Sequence, residues 1–360
     1  MFGGYVFIWW FFVGILLKQT RFLSMEYENG MRVKRWRLVS AIILFFPIFW
    51  LACMGPAIND IPEYLRLYKL IPDTIPDLIQ YLSTLDSGHG FVIIEWLIKI
   101  GFGDNLLIFR VIIAMIHSIP LILIFRKYSE DYWITIYLFV ASAVHIGWMM
   151  NGLRQFVAVV MVLATTPLML ERKYLKVIVV VLLASTIHVS ALFMLPVIFI
   201  VQGKSGNKKT ICFIMLTIVV MVILSKNVAF ADIFLKGTEF EGALTEMQRL
   251  GDDGVNPIRV LVSGVPVFLV FLQRKHLVRE TNQVVHICVN MSIITVGLNL
   301  MAMVTSGILM GRMAIYTNLY SFIIMPYLIR NVFTRKSQKV VNVLMIVFYF
   351  IYYCFEMGIL

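Results

Sequence analysis

Charge is scarce in this chain. Only 14% of its 360 residues are Asp, Glu, Lys or Arg, while 60% are hydrophobic. A soluble chain of this length needs far more polar surface, so a water-soluble globular fold is excluded. Cysteine is scarce too. Cys53, Cys212, Cys288 and Cys354 stand in apolar segments with no CxxC spacing, and they read as packing residues, not as a disulfide or metal framework. Neither an internal repeat nor a low-complexity segment is visible. The apolar run Phe2–Leu17 has no basic stretch ahead of it and no small-residue cleavage site behind it. It is read as a retained first span and not as a signal peptide. No His or Cys cluster has ligand spacing, so no metal site and no cofactor are expected. Asp252-Asp253 lies in a Gly- and charge-rich loop and reads as solvated surface.

What the chain has is long apolar runs. Hydropathy predicts twelve membrane or half-membrane segments: 2–17, 38–54, 104–125, 132–150, 152–170, 174–187, 189–202, 210–225, 257–273, 284–304, 308–329 and 340–357. A straight span needs roughly 20 residues, so 174–187 and 189–202 read as two short helices meeting near Thr186-Ile187-His188. The expected fold class is an all-α, polytopic integral membrane protein. One transmembrane domain, 1–360, would carry two long extracytoplasmic loops, 55–103 and 226–256.

Orientation follows from the 31 Lys and Arg. Six short loops (18–37, 126–131, 171–176, 203–209, 274–280 and 330–339) hold 21 of them, and the two long loops hold 6. The positive-inside rule places the short loops in the cytoplasm, with the long acidic loops and both termini outside. The net charge of +11 is then a topology signal and implies no nucleic-acid partner.

Four cations remain, and all are arginine: Arg110, Arg154, Arg259 and Arg312. Each falls in the outer part of a helix running from outside to inside, near its N-terminus. Snorkelling of long side chains to the interface explains any one of them. Four arginines without a lysine favour bidentate recognition of phosphate. Arg154 and Gln155 open the apolar run Phe156 to Leu170, with Asn151 as the expected cap. A guanidinium beside a helix N-terminus is an anion trap. Asn256-Pro257 ahead of Arg259 reads as a cap followed by proline at the first helical position.

The outer loops add carboxylates. Asn59-Asp60-Ile61-Pro62-Glu63-Tyr64 follows the second span, and Glu95 sits in the short apolar run Phe91–Leu97. A carboxyl buried there has a raised pKa or an arginine partner, with Arg110 the nearest candidate. His117 and His145 read as packed core residues. His188 interrupts an apolar run in Ser185-Thr186-Ile187-His188-Val189-Ser190, where a neutral imidazole either acts or is merely buried.

Several of these stretches resemble the EpsG-like, Wzy-type polysaccharide polymerases. They are Asn59-Asp60 with Tyr64, Glu95 in its apolar run, and Asn151-Gly152-Leu153-Arg154-Gln155-Phe156-Val157-Ala158. Ala184-Ser185-Thr186-Ile187-His188-Val189-Ser190-Ala191-Leu192-Phe193-Met194-Leu195-Pro196 and Gly311-Arg312-Met313-Ala314-Ile315-Tyr316 complete the set, in order along the chain. The outer loop departs from the family's pattern: Gly55-Pro56-Ala57-Ile58 precedes Asn59 without an arginine.

The resemblance implies a glycosyltransferase of the C-type fold class with an outward-facing site in the bacterial plasma membrane. It would polymerise oligosaccharide repeat units carried on undecaprenyl diphosphate, for O-antigen, capsule or exopolysaccharide. Partners implied are that lipid-linked substrate, membrane lipid, and chain-length regulator and flippase proteins. Arg154, Arg259 and Arg312 would hold the diphosphate, Arg110 would support Glu95, and the base would be His188, Glu95 or Asp60. The competing readings are a flippase or other transporter for lipid-linked sugars, and a glycan ligase. A flippase would favour midplane charges and inverted repeats, which the sequence does not display.

Overall fold

The computed structural model describes residues 4–20, 23–28, 31–56, 59–224, 254–277, 279–304 and 309–359. Most of the loop 226–256, with Asp252-Asp253, lies outside them. Two compact units emerge, Met1–Leu192 with Lys339–Leu360, and Phe193–Gln338.

The first unit opens with α1 (Gly4–Gln19), a hairpin of β1 (Leu23–Glu28) and β2 (Met31–Trp36), and α2 (Leu38–Met54). The hairpin is antiparallel, pairing Leu23 with Trp36 and Glu28 with Met31. Next come α3 (Ile61–Leu70), α4 (Ile75–Ser83), α5 (His89–Phe102) and α6 (Leu106–Tyr128). Then follow α7 (Tyr132–Ala141), α8 (Val144–Asn151), α9 (Leu153–Ala164), α10 (Thr166–Leu170) and α11 (Tyr174–Ile187). The second unit holds α12 (Met194–Ile200), α13 (Lys208–Leu224), α14 (Pro257–Leu272), α15 (Arg274–Leu277), α16 (Gln283–Val304) and α17 (Leu309–Val332). The last helix, α18 (Arg335–Glu356), returns to the first unit.

Among the described residues the hydrophobic segments are largely helical, and the protein is a membrane protein. Among the described residues, four helices are long and apolar enough to cross a bilayer, or five if a bent pair counts as one span. Others, such as α1 and α2, are apolar but only 16 and 17 residues long. Their outer faces show bare hydrocarbon (Ile8, Phe12 and Leu16 on α1, Val39, Ile42 and Phe46 on α2). Such faces suit lipid, where every backbone group is already satisfied within its helix.

One predicted span is broken. The run 132–150 forms α7 and α8, bent by 72° at Ser142-Ala143, with Ala143 at φ +58°. A non-glycine residue in that region is strained, and polar groups stabilise the break. Ser142 Oγ donates to Phe139 O at 2.8 Å and meets His145 Nδ1 at 3.3 Å.

Aromatic packing fastens α1 to α7. Trp10 and Trp133 stack at 4.3 Å, and each indole N–H donates to the other's backbone carbonyl. Trp133 lies where a Cβ on Gly14 would stand, 2.1 Å from its Nε1. In the second unit α16 and α17 pair through small hydroxyls, Thr295 with Thr317 at 2.7 Å and Ser321 with Ser292 at 3.0 Å. Such bonds join helices where lipid supplies no hydrophobic drive.

Candidate functional site

Arg154 is the second residue of α9. Asn151 does not cap this helix; it closes α8, and Gly152 stands at the N-cap without a side-chain bond. The helical conformation of Asn151 denies its side chain the capping position. Gly152 is required by close approach, since a Cβ there would lie 2.4 Å from the Trp148 ring. His117, read as a packed core residue, is fully buried and meets Leu153 O through Nε2 at 3.3 Å. It also presents an edge to Phe156 at 5.0 Å. The turn carrying Arg154 is thus held from α6.

The guanidinium reaches the N-terminus of α5. Gly88 caps that helix at φ +82°, and a Cβ on it would stand 2.6 Å from Arg154 Nη1. Two residues later Gly90 lets α5 press on the end of α11. A Cβ there would meet Thr186 Oγ1 at 2.3 Å and Ile187 Cγ1 at 2.9 Å. The sequence carried this signal as Gly88-His89-Gly90 ahead of an apolar run, and it passed unread.

Glu95 lies further along α5, 3% exposed, and its Oε1 has no hydrogen-bond partner among the described residues. Burial pushes its carboxyl up to about 8, and the Arg154 charge opposes the rise. An orphaned buried carboxyl costs stability and marks a candidate for chemistry. Arg110, the partner expected from sequence, points elsewhere. It donates to Gly55 O at 2.5 Å and to Ala52 O at 3.4 Å. The reason is packing: α6 runs along α2, whose last carbonyls lack intrahelical donors and attract a cation.

Tyr64, on α3, faces the backbone N–H and guanidinium of Arg154. Burial raises its phenol, while Arg154 draws it back. Its ring meets Phe91 of α5 edge-on at 5.8 Å. Asp60, one turn earlier, is exposed and accepts the Tyr64 backbone N–H through its carbonyl at 3.1 Å. His188 is half-buried just beyond the α11 end that Gly90 touches. Its Nδ1 bonds Ser190 Oγ at 2.7 Å and accepts the Ser190 backbone N–H at 3.3 Å. That amide is an unambiguous donor, so the neutral ring carries its proton on Nε2.

Arg154, Glu95, Tyr64, Asp60 and His188 therefore share one region of the first unit. Gln155 is buried on α9. Arg259 and Arg312 belong to the second unit. Asn256 caps α14 by accepting Ile258 N–H at 2.8 Å, with Pro257 first and Arg259 third in the helix. Arg312 is fourth in α17, and Val255 packs 3.6 Å from where a Cβ on Gly311 would be. Among the described residues no group of three His, Cys, Asp or Glu could hold a metal ion.

The model of the EpsG family matches residues 37–358. Neither a curated protein nor a solved structure matches the chain.

Proposed function

The chain belongs to the EpsG family, and from that membership we propose that it is a glycosyltransferase that polymerises lipid-linked oligosaccharide repeats. The substrate is carried on undecaprenyl diphosphate, and the reaction takes place at the outer face of the bacterial plasma membrane. The observation that carries this reading is the placement of Arg154. Its guanidinium abuts the N-terminus of α5, and its charge is felt by the buried Glu95. A fixed cation and a helix N-terminus together stabilise the charge that develops on a departing diphosphate.

The step balances without a cofactor. The bond from the growing chain's anomeric carbon to the lipid diphosphate breaks, and the diphosphate keeps the electron pair. A hydroxyl on the terminal sugar of the incoming repeat forms the new glycosidic bond. Its proton passes to Glu95, a strong base once ionised because burial raises its affinity for protons. His188 serves the same step from the end of α11. Asp60, exposed at the start of α3, meets sugar hydroxyls. Arg259 and Arg312 serve phosphate by the same fork geometry. Arg110 is assigned to the α2 terminus.

The test is ladder formation by purified protein from a synthetic lipid-linked repeat. Arg154→Lys and Arg312→Lys are expected to lose most activity, since an ammonium cannot replace paired donors. Chelation by EDTA is expected to leave the ladder intact. Wild-type ladders from Arg154→Lys would sink the assignment. Lipid-linked sugar moving across vesicles with no ladder would favour the flippase reading.

A further inference from the structure

Two residues meet the Arg154 side chain. Gly88 adopts φ +82°, a conformation that side chains rarely take, and its bare Cα receives the guanidinium. A Cβ there would stand 2.6 Å from Nη1, 3.6 Å from Cζ and 3.7 Å from Cδ, so the whole end of the side chain lies along this residue. Tyr64 brings its hydroxyl to Arg154 and packs its ring T-shaped against Phe91, which is 1% exposed. Phe91 in turn is anchored to Gly88, whose carbonyl accepts its N–H at 2.9 Å. The two walls are thus parts of one rigid corner where α3 meets the start of α5.

We propose that Gly88 and Tyr64 form a cradle that positions the Arg154 guanidinium, fixing which of its N–H groups face substrate phosphate. The inference rests on the phosphate-binding role given to Arg154. A guanidinium has five donors in a planar fork and loses little further entropy once that plane is set. With Gly88 close against Nη1 and the Tyr64 hydroxyl at the same side chain, the plane of the fork is set before a bidentate ligand arrives. Both are assigned as positioning residues that act through Arg154.

The variants are Tyr64→Phe, which removes one oxygen and keeps the ring on Phe91, and Gly88→Ala, whose Cβ pushes directly on Nη1 of the same guanidinium. Each is measured for kcat and KM with the synthetic lipid-linked repeat, across pH 6 to 10. The expected result is a fall in kcat/KM of tenfold or more at pH 7. The pH at which the rate levels should also rise, because Arg154 drifts from Glu95 and no longer restrains its pKa. Wild-type kcat/KM in Tyr64→Phe overturns the cradle, as does a fall in both variants with the pH profile unmoved. If one variant does not fold, the other carries the same pair of outcomes. Failure of the cradle differs from failure of the function: Arg154→Lys active as wild type defeats the phosphate role itself. Arg154→Lys impaired beside a normal Tyr64→Phe defeats only the cradle.

Discussion

Lys99 Nζ donates to the backbone carbonyl of Ile71 at 2.6 Å and to that of Lys69 at 3.1 Å. The lysine, 7% exposed, also pairs with Asp104 at 3.0 Å and Asp73 at 3.5 Å. It lies one turn after Glu95 on α5, so one residue ties the end of α3 to the helix that bears the buried carboxyl.

Removing that tie leaves carbonyls at the α3 terminus without a donor. Lys99→Met is expected to destabilise the protein by about 1–3 kcal/mol, the usual cost of an orphaned buried acceptor. Thermal unfolding of detergent-purified protein measures it. An unchanged melting temperature would show that water replaces the ammonium freely.

Glu95 links stability to pH. Its folded pKa, about 8, lies above the ordinary 4.5, so the folded chain keeps a proton that the unfolded chain releases. The stability this confers is complete below pH 4.5, declines as pH rises, and levels above about 8. Glu95→Gln abolishes the decline. The stability of Glu95→Gln relative to wild type is expected to increase by about 3 kcal/mol between pH 4 and pH 7, while activity is lost. A stability difference that does not grow with pH between 5 and 8 contradicts a buried, neutral carboxyl.

Catalysis runs the other way. If ionised Glu95 takes the acceptor proton, kcat/KM rises about tenfold per pH unit below 8 and then levels. Glu95→Gln removes the rise along with most of the rate. A flat profile from pH 6 to 9 in the wild type assigns the proton to another group.

Topology is tested without the reaction. Cysteines at Ser83 and Thr245 are expected to react with a membrane-impermeant thiol reagent in cells stripped of any outer barrier. Cysteines at Ser24 and Ser337 are expected to stay unlabelled. Labelling of the second pair alone places Arg154 at the inner leaflet and ends the outward-facing reading.

The helices were legible in the sequence because lipid imposes a local rule: a spanning segment must be apolar and must satisfy its own backbone. That rule marked 38–54 and 174–187, which are α2 and α11. It could not mark the 72° break at Ala143, because the run stays apolar through the break itself, Val140-Ala141-Ser142-Ala143-Val144. The cap ahead of Arg259 was also legible, since Asn-Pro acts on its own next few residues. Arg154, Glu95 and His188 announced themselves as polar groups in apolar runs. Which of them meet was settled only by tertiary packing. Glu95 is 15 positions from Arg110 and 59 from Arg154, yet it feels the charge of Arg154. Arg110 is drawn to the open carbonyls of α2, while two glycines bring the start of α5 against both Arg154 and the end of α11. Charge and hydropathy are properties of single residues and survive in a string of letters. Proximity depends on helices crossing, and that geometry exists only in the folded chain.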